Sequence, residues 1–172
     1  PKDAISTFES ARKVGFDNIN CDIIYNIPNQ SIIDWRSDLE QIVDMEPEHI
    51  SAYSLTVEQN TKLYELVTAD KIKMPDEAIH IEFNEVAYRL LQKNGYNKYE
   101  ISNYSKPNLE CRHNLHYWEH DTYIGFGPSA HSFDGTKRWN NYSNLNHYMN
   151  STSSNYIENS ESLSDIDKAN EI

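Results

Sequence analysis

The segment from Asn18 to Trp35, NINCDIIYNIPNQSIIDW, decides the fold because a strand, a loop and a helix follow one another in it. The stretch from Ile19 to Tyr25 is rich in residues that favour strands and is flanked by turn residues, which predicts a strand. Ser31 predicts the start of a helix, with Asp34 three residues later as an imperfect capping box. The segment therefore indicates one βα unit.

More helices and strands are predicted on both sides of this unit. Apolar residues at helical spacing predict a helix that ends at Gly15 and another from about Pro75 to Lys93. Strands are predicted at residues 50–57 and 99–103. The alternation of helices and strands indicates an α/β fold with a mostly parallel sheet, although three or four strands are too few to close an eight-stranded barrel.

Composition and charge exclude several classes of protein. The chain has 172 residues, of which 27 are acidic and 15 basic, and the net charge of −12 repels nucleic acid. No run of about 18 apolar residues is present, so no membrane-spanning segment is predicted. Cys21 and Cys111 are too few for a disulfide scaffold, and a reducing cytoplasm is the expected compartment.

The end of the sequence differs in composition from the rest. A short helix is predicted at residues 143–150, and the Ser/Asn-rich, acidic stretch that follows at 151–164 is typical of a linker. Ser164 and Asp165 are suited to cap one more helix. Because the sequence starts on a helix and ends on an unfinished one, we expect a segment of a longer protein.

The densest group of chemically active side chains lies between Glu110 and His120. Cys111, His113, His116 and His120 are potential ligands of zinc or haem iron, and a helix would place the three histidines on one face. Their spacing matches no zinc signature. The alternative is a polar turn with surface histidines beside a packed Trp118.

Two further features allow a functional and a structural interpretation. The glycines of the segment 125–133, GFGPSAHSF, let the backbone approach a ligand closely, but they also suit a tight turn at the end of a strand. The third glycine of a dinucleotide-binding motif is missing. Asp22 lies inside an apolar strand, where it requires a partner or a cavity unless the strand is an edge strand in water.

Several ordered blocks together resemble one protein family. They are residues 18–31, 49–58, 99–107, 110–114 and 125–133, and they lie within a resemblance that covers roughly residues 1–150. These blocks resemble the oxygen-independent coproporphyrinogen III oxidase-like radical SAM proteins. His113, Asn114, Tyr117 and Trp118 are similar to the H-N-x-x-Y-W motif that marks the haem chaperone branch of this family.

The resemblance implies a fold and cofactors. It implies that residues 1–150 form the second, C-terminal half of a partial (β/α)6 TIM-like radical SAM barrel, and that residues 151–172 link it to a C-terminal domain. The family holds S-adenosylmethionine and a [4Fe-4S] cluster in the full-length protein. Its three closely spaced cysteines are absent from this sequence, so we expect the chain alone neither to build the cluster nor to start radical chemistry.

The resemblance also implies site residues. Asp22 matches a strand aspartate near S-adenosylmethionine, and Ala52 matches a position whose backbone lies near the same ligand. His113 resembles a haem-contacting histidine and a possible iron ligand, with the other three motif residues around it. His116 and Cys111 are rival ligands.

Three functions remain open at this point. The first is haem binding and haem delivery to an unidentified acceptor protein. The second is oxidative decarboxylation of coproporphyrinogen III by the full-length protein, in porphyrin biosynthesis; the H-N-x-x-Y-W motif argues against it. The third is an inactive fragment, or a zinc-binding surface formed by His113, His116 and His120.

The sequence departs from the family at a few turn positions. Asn26, Asn29 and Asn60 stand where the family commonly has glycine, and Ser129 stands where small residues are usual. Asparagine is the non-glycine residue that best tolerates left-handed backbone angles. We therefore expect these turns to be retained.

Overall fold

The computed structural model describes residues 2–152 and 155–170, which form two compact units. We call residues 1–110 the N-unit and residues 111–172 the C-unit. The division after residue 150 that the resemblance implies stays a prediction. Among the described residues, no helix combines the length and the apolar character that crossing a membrane requires.

The N-unit contains one mixed sheet with helices packed on it. Its elements in chain order are α1 Lys2–Lys13, β1 Asn20–Tyr25, α2 Ile32–Asp44, β2 His49–Ser54, α3 Lys62–Thr68, α4 Glu77–Lys93, β3 Asn97–Lys98 and β4 Asn103–Ser105. The strand order in the sheet is β1-β2-β4-β3. β1 and β2 are parallel, with Asp22 paired to Ser51, as expected for strands joined by a helical crossover.

The prediction of a mostly parallel sheet is wrong for the other strands. β4 runs antiparallel to both β2 and β3. The physical reason is the short connection between β3 and β4, which is too short for a crossover and allows only a hairpin. Residues 99–102, predicted as part of a strand, form the turn of this hairpin, and the Tyr99 N–H donates to the Asn103 carbonyl at 3.2 Å.

The core of the N-unit lies between the sheet and the helices α2 and α4. Trp35 and Leu39 of α2 and Phe83 of α4 are fully buried against Ile50 of β2. The indole Nε1–H of Trp35 donates to the Phe83 carbonyl at 2.9 Å, which joins the two helices directly. The predicted apolar helix faces are therefore the surfaces that pack.

Local signals for helix starts and turns are confirmed. Ser31 and Asp34 form a complete capping box at the start of α2. The three asparagines in glycine positions adopt left-handed backbone angles, with φ of 64° at Asn26, 63° at Asn29 and 64° at Asn60. The turns are retained without glycine, as expected.

The C-unit contains an antiparallel sheet and short helices. Its elements are α5 Arg112–Trp118, β5 His131–Phe133, β6 Lys137–Asn141, α6 Leu145–Asn150, β7 Ile157–Ser162 and α7 Asp165–Asn170. The strand order is β5-β6-β7, and both pairs are antiparallel. The predicted short helix before residue 150 and the helix capped by Ser164 are both present.

One alternative for the C-unit is settled, and one expectation is wrong. Residues 112–118, for which the sequence leaves both a helix and a polar turn open, form the helix α5. Residues 157–162 lie in the stretch expected to be a linker, yet they form β7 along the edge of the sheet. An edge strand with mostly exposed polar side chains has the composition of a linker, so only its pairing with β6 distinguishes it.

A buried carboxylate ties the start of the N-unit to its sheet. The Glu48 side chain is 13% exposed, and its oxygens accept from Arg12 Nη2 at 2.8 and 2.7 Å. The Ile19 N–H donates to it at 3.0 Å. Burial alone raises the pKa of Glu48, but the hydrogen bonds from Ile19 and Arg12 outweigh burial and lower that pKa below its usual value.

The lowered pKa predicts how Glu48→Gln changes stability with pH. A carboxyl whose pKa is lower in the folded state stabilises the protein above its unfolded pKa, and this contribution is lost as the pH falls through the folded value. At pH 7 the substitution should lower the free energy of unfolding by about 2 kcal/mol. The difference in the free energy of unfolding between the variant and the parent should shrink when the pH falls below about 4.3, the ordinary pKa of a glutamate.

Urea unfolding at pH 7 and pH 3 measures this difference. The matched control is Glu65→Gln, because Glu65 pairs with Lys62 at 2.7 Å but both side chains are largely exposed. Exposed pairs contribute about 0.2–1 kcal/mol. Equal effects of the two substitutions at pH 7 would contradict the assigned role of Glu48.

Candidate functional site

The helix α5 carries the H-N-x-x-Y-W motif and fixes the positions of its side chains. His113 and Tyr117 are four residues apart, so they lie on the same face of the helix. Their rings contact edge to face with centroids 5.0 Å apart, and the Tyr117 hydroxyl lies in hydrogen-bond contact with His113 Nε2 at 3.2 Å. The motif histidine is therefore held by its own helix.

A cavity lined largely by aromatic rings lies beside α5. It measures about 310 Å³ and is lined by Tyr117, Trp118, His120, Tyr123, His131, Phe133 and Arg138. We call it the aromatic pocket. Tyr117 meets Tyr123 edge to face at 4.7 Å, and the Tyr123 ring lies 6.3 Å from that of Phe133. Reciprocal backbone hydrogen bonds of 2.9 Å between Tyr123 and Phe133 hold this wall in place.

The two strands β5 and β6 add polar groups to the aromatic pocket. The antiparallel register pairs His131 with Asn140 and Phe133 with Arg138, so all four side chains share one face. The guanidinium Nη1 of Arg138 lies 3.7 Å from a carboxylate oxygen of Glu161 on β7. The pocket thus combines aromatic surface, imidazole and a cation.

The motif histidine lines a different cavity. His113 borders a space of about 340 Å³ together with His116, Tyr117, Asp121, Thr122 and Tyr123. Tyr117 and Tyr123 line both cavities and separate them. Of the four predicted haem-contacting residues, Tyr117 and Trp118 line the aromatic pocket, whereas His113 and the half-buried Asn114 do not.

The three histidines of the zinc hypothesis have separate partners. His113 contacts Tyr117, His116 Nδ1 pairs with Asp121, and His120 Nε2 lies 3.3 Å from the Lys168 carbonyl. They do not share one face because α5 ends at Trp118 and the backbone at His120 is left-handed, with φ of 56°. In the part of the chain that the structure describes, His116 is grouped with the exposed Glu119 and Asp121 instead.

The GFGPSAHSF segment requires glycine for a packing reason. A Cβ at Gly125 would lie 2.2 Å from the His131 carbonyl oxygen, closer than any real contact. The Asn141 side chain then fastens the turn, because its Nδ2 donates to the Gly127 carbonyl at 2.9 Å. The segment brings its own strand β5 to the aromatic pocket.

The two predicted S-adenosylmethionine residues lie on opposite faces of the N-unit sheet. Asp22 is exposed on the edge strand β1 and accepts from Asn20 Nδ2 at 2.7 Å. Ala52 is 4% exposed and belongs to the core on the helix side. Its backbone N–H already donates to the Ser102 carbonyl at 2.8 Å, so its backbone can offer a ligand only the carbonyl oxygen.

Sequence reasoning missed a polar network beside Asp22. His49 is 6% exposed, with Nδ1 2.7 Å from Asn20 Oδ1 and Nε2 2.7 Å from the Tyr99 hydroxyl. Because an amide oxygen only accepts, Nδ1 carries the proton and Nε2 accepts from Tyr99. Burial lowers the pKa of His49, which keeps this imidazole neutral. A histidine at the first position of a strand gives no pattern that could have revealed the network.

Comparisons with known proteins identify relatives of this chain. No family model matches the sequence. The chain is 34% identical to the haem chaperone HemW of Bacillus subtilis over 148 residues, 86% of this chain and 39% of the relative. It is 43% identical to the HemW of Buchnera aphidicola subsp. Acyrthosiphon pisum over 130 residues, 76% of this chain and 33% of the relative. The chain therefore spans well under half the length of these curated relatives.

A solved structure shows the same fold. Coproporphyrinogen III oxidase (HemN) from Escherichia coli, described as a radical SAM enzyme, superimposes with a TM-score of 0.72 at 18% identity, over 93% of this chain and 40% of that chain. This confirms the predicted α/β fold related to the TIM-like radical SAM barrel. Together with the sequence identities, it places the chain in the HemW branch of the coproporphyrinogen III oxidase-like radical SAM family.

Proposed function

We propose that this chain binds haem in the C-unit and serves haem delivery in the whole protein. The observation that carries the proposal is the aromatic pocket, where Tyr117 and Trp118 of the H-N-x-x-Y-W motif meet Tyr123 and Phe133. The names of the HemW relatives support it from the sequence side.

The chemistry of the pocket suits a flat, iron-bearing macrocycle with carboxylates. Tyrosine and tryptophan offer large apolar faces, and a neutral imidazole is a common axial ligand of haem iron. The motif suggests His113 for that ligand, with His116 and Cys111 as rivals. In the structure, however, His113 contacts Tyr117 and lies outside the aromatic pocket.

We further propose that the N-unit helps to bind S-adenosylmethionine in the whole protein. The Asp22 carboxylate is exposed and can accept from ribose hydroxyls or an amino group, and the Ala52 carbonyl can accept as well. A [4Fe-4S] cluster does not fit the cysteines present. Cys21 lies in β1 and Cys111 precedes α5 in the other unit, and two thiols cannot replace three closely spaced thiolates.

Titration of the chain with hemin tests the proposed function. We expect a saturable Soret band with one haem per chain. Trp118→Ala should weaken haem binding about tenfold, since aromatic contacts contribute roughly 0.5–1.5 kcal/mol beyond the buried area. The matched control is Phe126→Ala, which removes an aromatic ring that is 88% exposed and outside the aromatic pocket. Absence of saturable binding by the parent chain would overturn the proposal.

A further inference from the structure

The aromatic pocket contains an imidazole that the H-N-x-x-Y-W motif does not include. His131 starts β5, and its side chain is exposed. It lines the aromatic pocket and also a neighbouring cavity of about 430 Å³, which borders the outer part of β6 and β7. The imidazole therefore stands where the two spaces meet.

The His131 side chain is available for a ligand. Within residues 2–152 and 155–170 it makes no hydrogen bond or ion pair with another side chain or backbone group. His113 differs from His131 in its partner and in its cavity. Its Nε2 contacts the Tyr117 hydroxyl, and its ring lines the other cavity, beside His116 and Asp121. To enter the aromatic pocket, His113 would have to give up its contact with Tyr117. It would also have to pass the Tyr117 and Tyr123 side chains, which separate the two cavities.

A cation lies beside His131 on the neighbouring strand. Arg138 lines the same two cavities as His131. Its ion pair with Glu161 spans 3.7 Å, with the Arg138 side chain 29% exposed and the Glu161 side chain 61% exposed. A guanidinium has five N–H donors and binds carboxylates in a bidentate way, so a ligand carboxylate can pair with Arg138 beside Glu161 or in its place.

We infer that haem enters the aromatic pocket with His131 as the ligand of its iron and Arg138 paired with a propionate. Trp118 and Phe133 supply apolar contacts to the macrocycle from the pocket wall. This inference rests on the proposed haem binding and replaces His113 by His131 as the ligand. The motif then contributes its aromatic residues, and the strand hairpin β5–β6 contributes the polar groups.

Two probes separate iron ligation from pocket binding. Hemin reports both, whereas metal-free protoporphyrin IX has no iron to ligate and reports the pocket alone. His131→Ala should weaken hemin binding by at least about tenfold and change the Soret band, as expected when a metal loses a ligand. The same variant should bind protoporphyrin IX within about twofold of the parent, and added imidazole should restore the parent Soret band.

The other variants complete the test. Arg138→Gln should weaken the binding of both porphyrins about equally, because the propionates are common to both. His113→Ala and the exposed control His147→Ala should bind hemin as the parent does. The assignment is overturned if His131→Ala binds hemin within twofold of the parent, or if His113→Ala loses as much affinity. Parent chain that binds no hemin at all indicates failure of the proposed function itself.

Discussion

Replacing Trp35 by alanine should lower the free energy of unfolding of the N-unit by about 3–5 kcal/mol. Trp35 is fully buried, and its ring packs 5.2 Å from that of Tyr25 at the end of β1. Its removal leaves a cavity and also leaves the Phe83 carbonyl without the indole N–H that now donates to it at 2.9 Å. Domains have only about 5–15 kcal/mol of stability, so the loss is severe.

Two further variants on the same helix should lower the free energy of unfolding by less than Trp35→Ala does. Trp35→Phe keeps most of the apolar volume and loses the hydrogen bond, so we expect a cost of about 0.5–1.5 kcal/mol, because the Phe83 carbonyl keeps its helical hydrogen bond within α4. Ile33→Ala lies on the same helix but removes a side chain that is 79% exposed, and it should change stability by less than about 0.5 kcal/mol. Urea unfolding followed by circular dichroism measures all three. A Trp35→Ala effect no larger than that of Ile33→Ala would show that α2 does not pack on α4 as described.

The second large effect is expected for Gly125→Ala in the C-unit. The added Cβ would lie 2.2 Å from the His131 carbonyl oxygen and 2.9 Å from the Ala130 Cβ. The carbonyl is part of the backbone, and the Ala130 Cβ is attached directly to it, so neither can rotate away from the added Cβ. The start of β5 therefore has to move. Overpacking of this kind costs about 1–3 kcal/mol, and at this short distance we expect the upper end.

The displacement should also change the aromatic pocket, because His131 begins the strand that moves. We expect weaker hemin binding as well as a lower thermal midpoint. Gly127→Ala is the matched control: a Cβ there meets no atom of the described residues within 4 Å, and its positive φ of 105° is unfavourable for alanine. That strain is about 1–2 kcal/mol, without displacement of β5. Equal hemin affinities of the two variants would contradict the predicted movement.

The parts of the fold that depend on neighbouring residues could be predicted from the sequence. The capping box of Ser31 and Asp34 and the left-handed asparagines are such cases, because each requires only a few consecutive residues. The alternation of side chains in a strand likewise puts Ile50 and Ala52 on one face of β2 and Ser51 on the other, and the structure shows that the first face packs in the core.

The parts that depend on distant partners could not be predicted in the same way. The direction of β4 and the existence of β7 are decided by pairing with strands elsewhere in the chain. One local signal was overlooked: Asp134-Gly135 is a hairpin signal, and it joins β5 to β6.

The candidate site shows the same limit. The motif identified Tyr117 and Trp118, which line the aromatic pocket, but its spacing contains no information on which cavity each side chain enters. His131 and Arg138 reach the pocket only through the register of β5 and β6. The motif therefore identifies only part of the site, and the register of the sheet positions the remaining residues.

The left-handed asparagines have a consequence for the unfolded chain. An asparagine has fewer accessible backbone states than a glycine, so less conformational entropy is lost when Asn26, Asn29 and Asn60 are ordered. The left-handed angle opposes this gain by a free energy of similar size, about 1 kcal/mol, which asparagine reduces by local hydrogen bonding. The two effects nearly cancel at each turn. Exchange between glycine and asparagine at these three positions should therefore change the free energy of folding very little.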